Sequence, residues 1–498
     1  MDFPSSGFSL NIHWIDLSIF LIYLILMLGI GFYFLRKNKS EEDYYVGGRS
    51  MSAGHIGLSV VATDVGGGFS IGLGGLGFLM GLSGSWMLFT GLLGAWLSSV
   101  FLIPKVYHRS RIKNHLTFPQ MLLDRYDTRV ALVAGIISLI GYTGFTSSQI
   151  LAGAKLAAAT FPSLRIIDAV LIMGVIAVIY TVVGGIKAVI YTDTFQWIIL
   201  MSGLIFIGIP IGFVQLGGWE AIYEALPPAY FTLNNLSWAQ WVNWFITIVP
   251  IWFIGMTLYQ RIYACRDEQT AIKAWRIAGF FEWPIMAFMG IVLGMFAKVA
   301  FQQGLFTELG YAPGSEIDSE LGLPLFLRNI LPVGLMGLMM SAYFSAIMST
   351  ADSCLMAASG NLTGDILPLW RRQVKQVQAS EQSEKNRKSI RLSQLVTLII
   401  GILAVLIATK MQNVLELMLY SYAFMVSGLF VPVLALLIQK QPNRLAALTS
   451  MLTGGLCTLG LIIWDEPLFF GLDPIFFGIL ISTLSYFIVS KLNHPSSE

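Results

Sequence analysis

Three aspartates stand inside or at the mouth of apolar, membrane-length segments: Asp64, Asp193 and Asp352. A carboxylate at the centre of a bilayer costs about 2.5–3.5 kcal/mol even on the lenient insertion scale. Such a charge is retained where it faces a cavity or a cation. Each lies in a distinctive phrase: Asp64 in Val60–Gly68 (VVATDVGGG), Asp193 in Tyr180–Gln196 (YTVVGGIKAVIYTDTFQ), and Asp352 in Met348–Ser353 (MSTADS). Hydroxyls and glycines surround all three. Oxygen-rich phrases with a buried charge suit a hard cation, so the chemistry implied is cation-coupled transport.

The elements that must position these residues are membrane helices. Of the 498 residues, 56% are hydrophobic and 12% charged, with a mean hydropathy of +0.72. A soluble domain carries about 25% charged residues, so the surface of this chain must be lipid. The net charge of +2 gives no basis for nucleic-acid binding. Cys265, Cys354 and Cys457 are far apart and form no CxxC pair, so the sequence suggests neither a zinc site nor a disulfide framework. Met1–Asp16 holds no Lys or Arg, so the first apolar run is expected to be retained rather than cleaved.

A span needs about 20 apolar residues. Helices are expected at roughly 13–35, 55–82, 84–104, 129–160, 166–184, 188–215, 239–263, 274–301, 333–361, 392–409, 413–439, 443–464 and 473–491, thirteen in all. With the N-terminus outside, the odd-numbered connections face the cytoplasm. They then hold every one of the 30 Lys and Arg except Lys155, Arg165, Lys298, Arg328 and Lys410, as the positive-inside rule asks. Arg261 is counted with the cytoplasmic set. The expectation is an all-α, multi-pass protein of a bacterial inner membrane, with its N-terminus outside and C-terminus cytoplasmic. Glu308–Asn329 is too polar to span and is expected to cap the outer face, with a short helix around Leu323–Arg328. Arg371–Arg391 reads as a basic cytoplasmic loop.

Two spans carry interruptions. Gly66, Gly67 and Gly68 let the second leave helical geometry. Pro250 and Gly255 interrupt the seventh more weakly. Freed carbonyls at membrane depth survive only beside a cavity or ligand. The two broken spans are five apart, so they enter from opposite sides. Spans two to six (55–215) and seven to eleven (239–439) would form inverted repeats around a midplane site. That leaves an extra N-terminal helix (13–35) and two C-terminal ones (443–491) around a single transmembrane domain.

The whole chain resembles the sodium:solute symporter family, whose members include proline, glucose, sialic acid, pantothenate and choline transporters. YTVVGGIKAVIYTDTFQ is similar to the family signature at its fifth core helix, MSTADS to the eighth, and VVATDVGGG to the broken first. The resemblance implies a five-plus-five inverted-repeat fold and sodium as the coupling ion, one or two per cycle. It implies a principal sodium site at the Ala62, Val65 and Ala346 carbonyls and the Ser349 and Thr350 hydroxyls. Ala346, Ser349 and Thr350 share one helical face. It implies a second sodium site at Asp193, Ser349, Asp352 and Ser353, with Asp352 equally open to pairing with a lysine or arginine. Asp64 is implied as a residue that tunes the principal site. Solute contacts are implied at Gly66, Phe69, Ser70, Ser85, Trp86, Phe253, Thr257, Tyr420, Tyr422 and Phe424.

The expected partners are a small organic solute (amino acid, sugar, organic acid or quaternary amine) and the lipid bilayer. Neither nucleic acid nor an obligate protein partner is expected. The sixth core helix carries Val249, Phe253 and Thr257 in place of the proline branch's aromatic pattern, which argues against proline itself. The third offers Lys155 rather than an arginine, which argues against sialic acid. Two rivals remain open: a proton-coupled transporter of the same fold, with Asp64 or Asp352 titrating, and a membrane solute sensor. An enzyme is disfavoured, because the sequence shows no nucleophile, base or cofactor motif.

Overall fold

A computed structural model of the chain describes residues 13–37, 46–161, 164–184, 186–371, 382–464 and 466–493. Among the described residues the structure is helical, and the one β-pairing is an isolated bridge between Met51 and Cys265. The main helices are α1 (Trp14–Lys37), α2 (Ala53–Met80), α3 (Trp86–Phe101), α4 (Thr128–Thr160), α5 (Ile166–Gly184), α6 (Ile186–Gly203), α7 (Trp238–Ile254), α8 (Met256–Ala264), α9 (Glu268–Phe280), α10 (Ala287–Gln302), α11 (Ser319–Ile330), α12 (Leu335–Gly360), α13 (Gln382–Ala408), α14 (Val414–Ile438), α15 (Arg444–Trp464) and α16 (Pro474–Leu492). Each of the thirteen expected segments is helical over most of its length. Eight described helices are long and apolar enough to cross a bilayer, or nine with the bent pair α7–α8 taken as one span. Much of the Arg371–Arg391 connection lies outside the described residues, as do Met1–Asn11 and Ile12 at the N-terminus.

Local chemistry sets several starts. The Asp127 carboxylate accepts from the Arg129 and Val130 amides at 3.0 Å and begins α4. Asp267 does the same for α9 through Thr270 N–H at 2.7 Å, and Asp318 for α11 through Glu320 N–H at 2.9 Å. Each satisfies a backbone donor that the helix itself cannot. Outward faces are apolar: Leu21, Ile22 and Ile25 of α1, and Leu171, Val175 and Ile179 of α5, are all exposed. In water such faces would aggregate; in a bilayer they are the solvated side.

α2 and α12 form the centre. α12 is buried along nearly its entire length and packs against α1, α2, α4 and α6. α2 is broken at Gly66, whose φ of 46° and ψ of −166° are open to glycine alone. A Cβ on Gly66 would stand 2.2 Å from Thr350 Oγ1, and one on Gly67 would stand 1.8 Å from Ile347 Cγ1. The glycines therefore serve two ends: they break the helix and let its backbone touch α12.

The second break differs from expectation in detail. Pro250 lies within α7, and the chain turns by 43° at Gly255, between α7 and α8. Gly255 is extended, with ψ at 116°. A third break was not expected. The 274–301 segment is interrupted at Trp283, inside a wide π-type turn over Phe281–Met286. Such turns commonly mark functional positions. The outer segment forms a longer helix than Leu323–Arg328, running over Ser319–Ile330.

α1 is fastened to α12. The Asp16 carboxylate accepts from Gly334 and Gly337 amides, both at 2.7 Å, and so occupies the positive end of α12. Phe20 meets Phe344 edge to face at 5.2 Å.

Candidate ion and solute site

The α2 break faces the middle of α12. Thr350 Oγ1 donates toward Ala62 O at 3.1 Å and Ala346 O at 3.3 Å. Two carbonyls and a hydroxyl from the two helices thus converge at membrane depth. Ser349, one residue away, is buried and its side chain interacts with the Asp193 carboxylate. Ser70 Oγ donates to Gly66 O at 2.6 Å and satisfies a carbonyl released by the break. The side chains of Val65 and Phe69 lie outside the described ones.

Asp193 lies in a different setting. Its Oδ2 accepts from Ser59 Oγ at 2.6 Å and faces the Arg261 guanidinium at 3.4 Å, both residues fully buried. The same guanidinium donates to Ser59 Oγ at 3.0 Å, Thr63 Oγ1 at 2.5 Å, Ser353 Oγ at 3.0 Å and Thr257 O at 3.2 Å. Arg261 therefore reaches inward from α8 and does not belong with the solvated loop cations with which the sequence groups it. The break at Gly255 makes this possible, because it turns α8 until its last residues point at α2, α6 and α12. Of the four residues expected at a second sodium site, Asp193 and Ser353 are engaged by this guanidinium.

Asp352 is separate from that network. It receives the Thr181 hydroxyl on one oxygen, and its Oδ2 has no donor. Among the described residues no lysine or arginine pairs with it. It lines a cavity of about 170 Å³ between α1, α5, α6 and α12, together with Tyr23, Tyr180, Thr192, Gln196 and Ser349.

Asp64 has an unexpected neighbour. Its side chain interacts with those of Glu282 and Tyr422. Glu282 projects inward from the Phe281–Met286 turn and is fully buried. The two carboxyls hydrogen-bond each other, and among the described residues no lysine or arginine pairs with either. A Cβ on Gly91 of α3 would stand 2.0 Å from Glu282 Oε2, so glycine at that position makes the room.

The remaining solute candidates divide into groups. Gly66, Ser70 and Tyr422 sit at or beside the α2 break, and Tyr422 packs edge to face on Phe145 at 4.9 Å. Thr257 Oγ1 meets the Tyr142 hydroxyl at 3.2 Å, and Phe253 packs on Phe430 at 6.1 Å. Tyr420 lines a vestibule of about 410 Å³ with Trp244, Glu320 and Asp473. Ser85 is buried in the short turn before α3. Trp86 Nε1 donates to Leu233 O at 2.7 Å, which ties it to an outer loop. The Phe424 ring lies against Gly455 of α15.

Lys155 is committed elsewhere. Fully buried, it bonds Asp318 at 2.5 Å and Glu320 at 2.6 Å. Glu320 also accepts from the Val414 and Leu415 amides, both at 2.9 Å, at the N-terminus of α14. One carboxylate thus joins α11, α4 and α14. At the opposite end of α2, Met51 N–H donates to Ala264 O at 3.0 Å and Arg266 N–H to Met51 O at 3.3 Å.

The family model described as "Sodium:solute symporter family" matches residues 44–454. The chain belongs to the sodium:solute symporter family. Sodium/proline symporters of Escherichia coli strain K12 and Staphylococcus aureus strain JH9 are 26% and 25% identical to it, each over 96% of this chain and 93% of the relative. A solved structure of a Na+-coupled sialic acid symporter, substrate-bound and outward-open, superposes with a TM-score of 0.77 at 22% identity, covering 97% of this chain and 99% of that one. A nucleobase-cation-symport-1 family transporter superposes at 0.55 with 12% identity over 91% and 96%. The fold is that of these transporters. The protein is a multi-pass membrane symporter that uses sodium, and not an enzyme.

Within this symporter two site residues escaped the sequence reading. Arg261 was grouped with loop cations because it lies at a helix end beside Cys265 and Arg266. Glu282 stands next to Trp283-Pro284, and the helix-breaking proline was the available signal that the chain turns there.

Proposed function

We propose that this symporter imports a small organic solute by alternating access. Thirteen spans would carry it, with 55–215 and 239–439 as inverted repeats, 13–35 and 443–491 outside them, N-terminus out and C-terminus in. One sodium ion would bind to the carbonyls of Ala62, Val65 and Ala346 and the hydroxyls of Ser349 and Thr350. The observation that carries this reading is the Thr350 hydroxyl held between Ala62 O and Ala346 O. Oxygens already converge there from a broken helix and an intact one. Sodium drawn to them would link α2 to α12, as carbonyl oxygens replace a hydration shell in ion filters. With an inward-negative potential each sodium charge adds about 2.3 kcal/mol per 100 mV.

Among the solute classes, one bearing an amine is best supported. Asp64 and Glu282 form an acidic pair beside the break with no basic partner among the described residues. An ammonium group supplies N–H donors to this pair and offsets negative charge there. A quaternary amine has no N–H to offer, and a sugar has no charge. Tyr422 and Phe253 supply apolar and aromatic walls. The relatives that transport proline agree with an amino solute in general, while Val249, Phe253 and Thr257 still argue against proline in particular.

The test has two stages. A thermal-shift screen with and without sodium, across amino acids, sugars, organic acids and quaternary amines, identifies the solute. Uptake into proteoliposomes then follows, where Thr350→Ala is expected to raise the half-saturating sodium concentration at least about tenfold, equivalent to about 1.4 kcal/mol. Full uptake without sodium under a pH gradient would overturn the sodium assignment in favour of protons.

A further inference from the structure

The cavity beside Asp352 lies between α1, α5, α6 and α12. Most polar groups on its wall are already paired. Ser349 interacts with Asp193, Tyr180 with Thr192, and the Tyr23 hydroxyl accepts from the Gln196 amide nitrogen at 3.1 Å. Asp193 in turn has Arg261 as its cation. Two acceptors remain. Asp352 Oδ2 and Gln196 Oε1 have no donor, and both side chains are buried. Native proteins leave few buried polar atoms unsatisfied. The rest of the wall is apolar, with Leu24, Met27, Ile176, Phe344 and Met348, and Asp352 is the one charged residue on it.

The chamber continues sideways. Met27, Thr192 and Gln196 also line a groove of about 680 Å³ between α1 and α6. Ile25, Leu26 and Tyr33 of α1 border that groove and are exposed, on the face that meets lipid. Such an opening admits a molecule from the bilayer rather than from water.

The wall sets the chemistry of the occupant. Two acceptors are too few for a bare metal ion, which takes a full shell of oxygens. A neutral hydrocarbon would leave the Asp352 oxygen buried without a bond, which is costly. An anion would meet a carboxylate. A primary ammonium group brings one positive charge and three N–H donors, and so answers Asp352 Oδ2 and Gln196 Oε1 together. An apolar body on that amine covers the remaining wall, and its tail runs out along the groove.

We propose that this chamber binds lipophilic amines, which enter from the bilayer between α1 and α6 and set their ammonium group against Asp352 and Gln196. The site is separate from Asp64 and Glu282, and it requires neither the sodium nor the solute assignment made above. An amine held there touches α1, α5, α6 and α12 at once, so it stabilises the arrangement of helices that it binds.

The probe is n-decylamine, added to purified full-length protein in lipid nanodiscs, with decanol as the uncharged control. Decylamine is expected to raise the thermal midpoint saturably, and decanol to leave it unchanged. A decylamine carrying a photoreactive diazirine on its tail is expected to label α1 and α6, with labelling suppressed by excess decylamine. Asp352→Asn is expected to raise the half-saturating decylamine concentration about tenfold or more. Because that change also unsettles Thr181, Leu24→Trp is the second variant. It fills the chamber, keeps Asp352 and Thr181, and is expected to abolish the suppressible labelling. Equal affinity in wild type and both variants, or equal suppression by decanol, means that the amine only partitions into lipid and overturns the site. Adducts confined to the Phe281–Met286 turn would place the amine beside Asp64 and Glu282 instead and overturn it as well.

Discussion

Asp193 and Asp352 are buried carboxylates on adjacent helices, and they solve the same electrostatic problem in opposite ways. Asp193 has a guanidinium folded against it and a serine hydroxyl on the same oxygen. Asp352 has a single threonine hydroxyl and an oxygen facing a cavity. A charge in a low-dielectric interior requires a counter-charge. Where the fold supplies a permanent one, the residue holds helices together. Where it does not, the residue is available to an ion that comes and goes. Asp64 and Glu282 belong with Asp352, since neither has a basic partner among the described residues.

The largest effect expected from breaking this contrast is at Arg261. Arg261→Met strands Asp193 and is expected to cost about 3–5 kcal/mol, seen as a lowered thermal midpoint of the purified protein. Arg261→Met combined with Asp193→Asn should recover most of the loss. Equal losses in the single and double variants would mean that the pair is not the structural element described.

Thr181→Val acts on the other side. It deletes the donor to Asp352 while keeping side-chain volume, with an expected cost of about 1–3 kcal/mol. The thermal midpoint of the purified protein checks it, and an unchanged midpoint would mean that the Thr181–Asp352 bond does not support the fold.

Asp16→Asn weakens the anchoring of α1 to the positive end of α12. The expected loss is about 0.5–2 kcal/mol of stability, seen as a lowered thermal midpoint of the purified protein.

The smallest effect concerns Asp365, beyond the expected span and against the loop that holds Thr117. Burial pushes its carboxyl up to about 8, with hydrogen bonds from Thr117 and Gln120 opposing. It is a further carboxyl without a cation. Its folded state keeps a proton that the unfolded chain releases near pH 4, so this contribution to stability is full below pH 4 and is lost as pH rises to about 8. Asp365→Asn should flatten the thermal midpoint against pH over that window.

Much of this was legible in the sequence. Hydropathy marked the helices because lipid-facing positions such as Leu171, Val175 and Ile179 are apolar all along their length. Triple glycine beside Asp64 marked the α2 break because no other residue adopts the Gly66 conformation. The structure brings the carbonyls of Ala62 and Ala346 and the Thr350 hydroxyl together. What was not legible depended on direction rather than type. Arg261 differs from Arg266 by little more than one helical turn, yet one is buried and the other solvated, and only the turn at Gly255 distinguishes them. Glu282 is acidic in an apolar run, but whether it meets lipid, Asp64 or a base depends on how Trp283 redirects the chain.

Glu320 has a consequence for motion. Its two oxygens hold a lysine of α4 and two amides at the start of α14, while its own backbone begins α11. Separating any one of these helices from the others breaks an ion pair or two charge-assisted bonds at the same atoms. The vestibule that Glu320 and Tyr420 line therefore sits beside a joint in which one carboxylate couples three helices, so moving any one of them away from the others costs a charged contact.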